Sequence, residues 1–190
     1  AYVNVIVADA SGSSITLNAG HVFNASVSSV AYQFVNISTK TVIPENGVYI
    51  FKELPLYEGT WMETKYTVNL SDPDQKFILP NANTDISTLE VSVQNSATDS
   101  ETVVYIEATD ITTVNSSSTV YFIDEVEDGK FEVQFGDGIL GKILANGNIV
   151  ILSSLTCDAD ITNGARSFSV VTDVGGYSNV KIETTSSASG

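Results

Sequence analysis

The chain of 190 residues holds one cysteine, one histidine, one methionine and one tryptophan, and 8 Lys and Arg against 23 Asp and Glu, a formal net charge of −15. Each scarcity excludes something. Cys157 has no second cysteine to pair with, so the chain is not a disulfide scaffold, and its cysteine usage leans toward a reducing compartment. His21 cannot assemble a structural zinc site without cysteine partners. A pI near 4.1 leaves no basic footprint to neutralise phosphates, so nucleic acid is not an expected partner. No apolar run approaches the ~20 residues of a membrane helix. The opening AYVNVIVADA lacks the basic region of a signal peptide. The chain starts without Met and ends in SSASG, which reads as a piece of something longer.

What is present favours strands. Val and Ile number 39 against 10 Leu, and Ser and Thr number 42. β-Branched side chains lose rotamer freedom in helices and pack well on pleated sheets, while Ser and Thr compete with helical hydrogen bonds. No stretch repeats apolar residues at helical spacing. Period-2 alternation instead marks Val3, Val5 and Val7; Ile15 and Leu17; Tyr66, Val68 and Leu70; Leu89, Val91 and Val93; and Phe131, Val133 and Phe135 as half-buried strands. The runs GVYIF (47–51), NIVIL (148–152) and SFSVV (167–171) predict strands covered on both sides, or strands near a core centre. The fold class expected is all-β, an antiparallel sandwich or meander.

Turn signals are dense. Asp128-Gly129, Asp137-Gly138 and Asn146-Gly147 lie nine residues apart, and Asn163-Gly164 and Gly175-Gly176 follow. Such pairs tolerate the positive φ of hairpin turns. The spacing predicts consecutive strands over 119–127, 130–136, 139–145 and 148–155, the third interrupted by Gly141. A two-residue Asp128-Gly129 loop would set Val126 opposite Phe131 and Glu125 opposite Glu132. The polar stretch 71–76 with Pro73 is the best internal boundary, dividing the chain into a β segment 1–70 and a meander segment 71–190, as two domains or packed as one. Loops are expected at 95–100 and 115–118, and a flexible tail from 184.

Catalytic constellations are sparse. No G-x-S-x-G elbow presents a serine. Cys157 has no neighbouring base and reads as an inert thiol. The acids of 124–128 and the stretch from Asp158 both fail the calcium-loop pattern. Solvated strand faces and turns account for most of the 23 acids better than a glycosidase pair does. The cluster FGDGILGKILANGN (135–148) lacks the Lys-Ser/Thr of a phosphate loop and the strand-to-helix setting of a dinucleotide site, so its physical reading is tight turns. Asn24, Asn36, Asn69 and Asn115 fit the N-x-Ser/Thr pattern, which abundant Ser and Thr generate freely. No catalytic residue, metal or cofactor is called for, and an enzyme is not expected.

The stretch VYFIDEVEDGKFEVQFGDGILGKILANGNIVIL (120–152) resembles the signature of the baseplate J-like family of contractile phage tails, as found in the wedge of T-even type phages. The matching residues are Phe135, Gly136, Asp137, Gly138, Gly141, Gly147 and Asn148. Upstream, ITLNAGHVF (15–23) resembles the family's A-G-x-x-F turn, and KFILPNANTDISTLEVSV (76–93) keeps Asp85, Thr88, Leu89 and Val91. Asn163-Gly164 and Phe168 fit the returning strand, so the likeness covers 15 to about 170. Ser153-Ser154 and Asp160 depart from it, where an aromatic and a glycine are common.

The resemblance implies a structural component of the tail baseplate wedge. Its partners would be a second copy of itself, as homodimer or ring contacts, and other wedge subunits. It would be made in the host cytoplasm and reside in the virion, and its motif residues would carry turn and assembly geometry. The alternative is an extracellular all-β adhesin or carbohydrate-binding module, with Tyr57, Trp61 and Tyr66 as candidate stacking residues.

Overall fold

The computed structural model describes residues 1–157 and 163–188, and over them the chain is all-β. Asp160 and the stretch from Asp158 to 162 lie outside the described residues. Sixteen strands are described: β1 (Tyr2–Val7), β2 (Ile15–Leu17), β3 (Val22–Val27), β4 (Val30–Val35), β5 (Lys40–Val42), β6 (Tyr49–Pro55), β7 (Tyr57–Glu58), β8 (Thr60–Thr67), β9 (Phe77–Leu79), β10 (Thr84–Gln94), β11 (Thr102–Glu107), β12 (Val120–Glu125), β13 (Phe131–Phe135), β14 (Ile149–Thr156), β15 (Phe168–Val170) and β16 (Val180–Ser186). One single-turn 3-10 segment, Ile111–Thr113, is described, and 127–129, with Asp128 at φ 63°, is a turn rather than a helix.

The chain divides into two compact units, but not at 70/71. One unit joins residues 1–61 to 156–190, and the other is the continuous segment 62–155. The polar stretch 71–76 is a loop inside the second unit, between β8 and β9. Polar composition marked a surface loop there, whereas the passages between units fall inside β8 and β14, where backbone pairing continues and no turn residue appears.

The first unit holds three sheets, ordered β16-β1-β6, β15-β3-β4-β7 and β2-β5. Val3, Val5 and Val7 are fully buried on alternate positions of β1, as their period-2 spacing requires. They share one core with Phe23 and Ala25 of β3, Phe34 of β4 and Phe51 and Leu54 of β6. Over the described residues 184–188 the tail is not loose: Thr184 and Ser186 extend β16 opposite Val3 and Tyr2, and Ala188 is buried. Ladder hydrogen bonds are made by the backbone, so a Ser/Thr composition does not prevent them. β15 is half-buried with Ser169 outward and Val171 exposed, so it is not covered on both sides. In β6, Tyr49 and Phe51 are buried while Ile50 is only partly covered.

The second unit is one sheet of seven strands, ordered β8-β14-β10-β11-β12-β13-β9, that almost closes on itself. The Tyr66 hydroxyl of edge strand β8 donates to the Ile78 carbonyl of edge strand β9 at 2.5 Å, and the Tyr66 ring meets Phe77 edge-on. Val91, Val93, Tyr105, Tyr121, Val133, Val150 and Leu152 fill its core. β14, next to edge strand β8, is the covered strand that NIVIL predicts. Within the Tyr66/Val68/Leu70 alternation the strand ends at Thr67; Val68 is buried but Leu70 is exposed. β11 pairs with β12 in parallel.

Two local expectations are corrected. The β12–β13 hairpin closes through three residues, 127–129, and the Val126 N–H donates to the Lys130 carbonyl. Asp128 and Gly129 do adopt positive φ, 63° and 68°. The register nevertheless sets Glu125 opposite Phe131, Val133 opposite Ile123 and Phe135 opposite Tyr121. The expected register would have set buried Val133 across from Asp124; matching apolar faces decides the register against the shortest loop. The second correction is that 139–145 is not a strand: 136–148 is a single loop from β13 to β14. Gly138 and Gly141, at φ 87° and 92°, turn the backbone out of the extended region.

Candidate functional site

The motif residues Phe135 to Asn148 all fall in the second unit, and the structure brings them together in and beside the 136–148 loop. The loop begins from an aromatic anchor. Phe135 packs edge-on against Phe77 at 5.4 Å and Tyr105 at 5.3 Å between ring centroids. Gly136 is buried, and its Cα faces the backbone of Gly141. A Cβ on Gly136 would overlap the Gly141 carbonyl group and lie 2.5 Å from its Cα. A Cβ on Gly141 would lie 3.1 Å from the Gly136 Cα and 3.1 Å from Val120 Cγ2. The two glycines are therefore each other's space requirement. Gly136 itself is not among the glycines with positive φ, so close backbone approach fixes its identity.

Asp137 organises the turn that follows. Its Oδ1 accepts from the N–H of Ile139 at 2.8 Å and of Leu140 at 2.9 Å. Those two amides, Leu140's first, hold its carboxyl below the usual aspartate range. Gly138 donates its N–H to the Gly141 carbonyl at 3.1 Å. Gly147 adopts φ 83° with open space around it, so its role is conformational. Asn148 closes the loop: its Oδ1 accepts from the Ala145 N–H at 2.7 Å, and its Nδ2 donates to the Asn95 carbonyl at 2.9 Å.

Three distant segments grip this loop. Gly141 and Lys142 donate their N–H groups to the carbonyls of Asn115 and Ser118 at 3.1 and 2.8 Å. Gly147 donates to the Val68 carbonyl, and the Val68 N–H donates to the Asn148 carbonyl, both at 2.8 Å. The Leu70 N–H donates to Asn146 Oδ1 at 3.0 Å. Asn115 is folded by its own side chain, whose Oδ1 accepts from the N–H and hydroxyl of Ser117. The 115–118 loop was legible as a loop; that it seats Gly141 was not, because nothing local encodes the pairing. Outward, the loop presents Ile139, 74% exposed, Ile143, 58% exposed, and the partly exposed Leu140.

The flanking blocks of the resemblance also have structural duties. Gly20 has φ 78° and a Cβ there would lie 2.9 Å from Trp61 Cδ1, so the indole lies over it. Thr88 donates its hydroxyl to the Asp85 carbonyl at 2.6 Å and accepts from the Leu155 N–H at 3.0 Å. Phe168 meets Phe34 edge-on at 5.1 Å. Gly164 takes φ 95° and donates its N–H to the Ala188 carbonyl at 2.8 Å.

The remaining chemical candidates do not converge. His21 is half-buried with its ring edge on Phe23 and no partner for Nε2. Burial pushes its pKa down, opposed by its hydrogen bond to the Thr172 backbone. Cys157 is half-buried and donates its thiol to the Glu58 carbonyl at 3.3 Å. Of the stacking candidates, Trp61 covers Gly20, Tyr66 is engaged in the core of the second unit, and Tyr57 is partly exposed. Asn36, one of the N-x-Ser/Thr sites, is fully buried: Nδ2 donates to the Asn18 and Ser38 carbonyls and Oδ1 accepts from the His21 N–H. Among the described residues no three His, Cys, Asp or Glu side chains gather as metal ligands would, and no helix is long and apolar enough to cross a membrane. No family model matches the chain, and neither does any curated protein.

Proposed function

We propose that this chain is a structural component of the baseplate wedge of a contractile phage tail, assembled into the virion after synthesis in the host cytoplasm. Its partners are further copies of itself and other wedge subunits. The family likeness rests on three sequence blocks in order. The observation that carries the reading is the 136–148 loop, whose backbone is fixed by hydrogen bonds to three other segments while Ile139 and Ile143 stand in solvent. Apolar side chains held outward on a rigid loop lose little entropy on docking, which suits an assembly surface better than a core. The acidic charge keeps unassembled subunits apart by repulsion, as an assembling module requires.

The test is particle incorporation. Tailed particles produced with the wild-type chain and with Ile139→Ser/Ile143→Ser are purified, blotted and labelled with gold-conjugated antibody. The wild-type chain is expected at the tail end distal to the head. The double variant, which melts as the wild type does because both sites are exposed, is expected to be absent. A wild-type chain missing from particles overturns the proposal. So does saturable glycan binding lost on Trp61→Ala, which marks the adhesin alternative instead.

A further inference from the structure

A second surface of the 62–155 unit, with none of residues 136–148 among its lining residues, is built differently. β11 pairs with β10 over Val91–Gln94 and then turns to β12, pairing at Ile106 and Glu107. β10 runs on from Glu90 back to Thr84 with no β11 partner in the register. Where the two strands part, a groove of about 510 Å³ opens, with Leu89, Val91, Tyr105, Tyr121 and Ser153 among its lining residues. Val104 and Ile106, two residues apart on the outer face of β11, are 68% and 65% exposed and line the same groove. β10 lies between β14 and β11, so what is open over 84–90 is its β11 side, and an open strand side beside exposed β-branched side chains is the arrangement that accepts an added strand.

Charge selects what can be added. Glu90 and Glu107 both line the groove, and no Lys, Arg or His does. Residues 62–155 hold 15 of the 23 acids and 4 of the 8 Lys and Arg, a net charge of −11, against −4 for the remainder. A second copy would bring the same acids against them and be repelled. The Tyr121 phenol reports the local field: burial and then the Glu107 charge push its pKa up.

We propose that this groove binds an extended segment of another protein in which lysine or arginine alternates with apolar residues, the segment adding alongside β10, its cations meeting Glu90 and Glu107 and its apolar side chains covering Val104 and Ile106. The site is separate from the 136–148 loop and does not depend on the wedge reading.

The experiment uses the full chain and fluorescein-labelled peptides of about ten residues, read by fluorescence anisotropy. A Lys/Val alternating peptide is expected to bind saturably and to weaken as salt rises. A Lys/Ser peptide of equal charge and a Glu/Val peptide are expected to bind at least about tenfold more weakly. Glu90→Gln/Glu107→Gln and, separately, Val104→Ser/Ile106→Ser are each expected to weaken the Lys/Val peptide about tenfold, and Asp124→Asn/Glu125→Gln to leave it within about twofold. Hydrogen exchange on the wild type, which needs no variant, is expected to show new protection in 84–90. Equal binding of the Lys/Ser peptide, equal weakening by the 124/125 variant, or no new protection in 84–90 overturns the proposal. So does a concentration-dependent dimer abolished by Val104→Lys, which assigns the groove to a second copy.

Discussion

Replacing Gly136 by alanine adds one methyl group, and its cost can be worked from the loop. The new Cβ would overlap the carbonyl group of Gly141 and lie 2.5 Å from its Cα, distances that real contacts do not sustain. The obstacle is backbone, so no rotamer change relieves it. Either the Gly136 side or the Gly141 side must move, and Gly141 is held by its N–H to Asn115 and, one residue on, by Lys142 to Ser118. Overpacking costs about 1–3 kcal/mol. Releasing two backbone hydrogen bonds adds about 1 kcal/mol each, which puts Gly136→Ala at roughly 3–5 kcal/mol. Gly147→Ala is the control. Its φ of 83° strains an L-residue, but nothing lies within 4 Å of the added Cβ. It should cost about 1–2 kcal/mol. Chemical denaturation followed by far-UV circular dichroism, with hydrogen exchange at 136–148 to localise the effect, measures both. The reasoning is refuted if Gly136→Ala stays within about 0.5 kcal/mol of wild type, or if Gly147→Ala costs as much.

Other sites give independent tests. Asn36→Ala leaves the Asn18 and Ser38 carbonyls and the His21 N–H unpaired in a buried place, so a loss of about 2–4 kcal/mol is expected in the same denaturation assay. His21 has its pKa lowered by burial, so its contribution to stability is complete above the ordinary histidine value of 6.5 and is lost as pH falls through the folded value. The drop in melting temperature from pH 7.5 to about 5.5 should be smaller in His21→Asn than in wild type, and an equal drop would refute the assignment. Asp137 should titrate below the ordinary aspartate range in an NMR pH series, with the amides of Ile139 and Leu140 shifting in step. A fragment spanning 60–156, which keeps β8 and β14 whole, should show strand-type circular dichroism and a cooperative melt; a featureless spectrum would contradict the division into units.

Legibility followed the range of the interaction. Val3, Val5 and Val7 announce β1 because burial of alternate residues is a local pattern, and NIVIL announces a covered strand because a continuous apolar run is local too. Gly175-Gly176 is a visible hairpin turn, closing between Val174 and Tyr177 with both φ positive. Ser28-Ser29 makes the same kind of turn between β3 and β4, at φ 50° and 67°, from residues that carry no such signal; the six-pair ladder on either side imposes it. The division of the chain was hidden because it runs through two strands rather than through a linker. The strand over 184–186 is not legible from composition, since its partner, β1, lies at the other end of the sequence. At the motif, the glycines were visible but their reasons were not. Gly138 needs its conformation, whereas Gly136 needs space, and only the position of Gly141 shows the difference.

That difference bears on what the motif can say about function. Gly136, Asp137, Gly141 and Asn148 are each required by the loop's own backbone, through a close approach or a hydrogen bond within 62–155. Any protein that folds this loop needs them, whatever it binds. They argue for the shape of the loop before they argue for a partner. Ile139 and Ile143 are the reverse case: neither is buried, and the fold would accept serine at both. Under the proposed function their role is contact with a partner rather than packing within the chain. A functional likeness is therefore tested at the residues the fold does not need, and for this loop those are the two isoleucines rather than the glycines that make it recognisable.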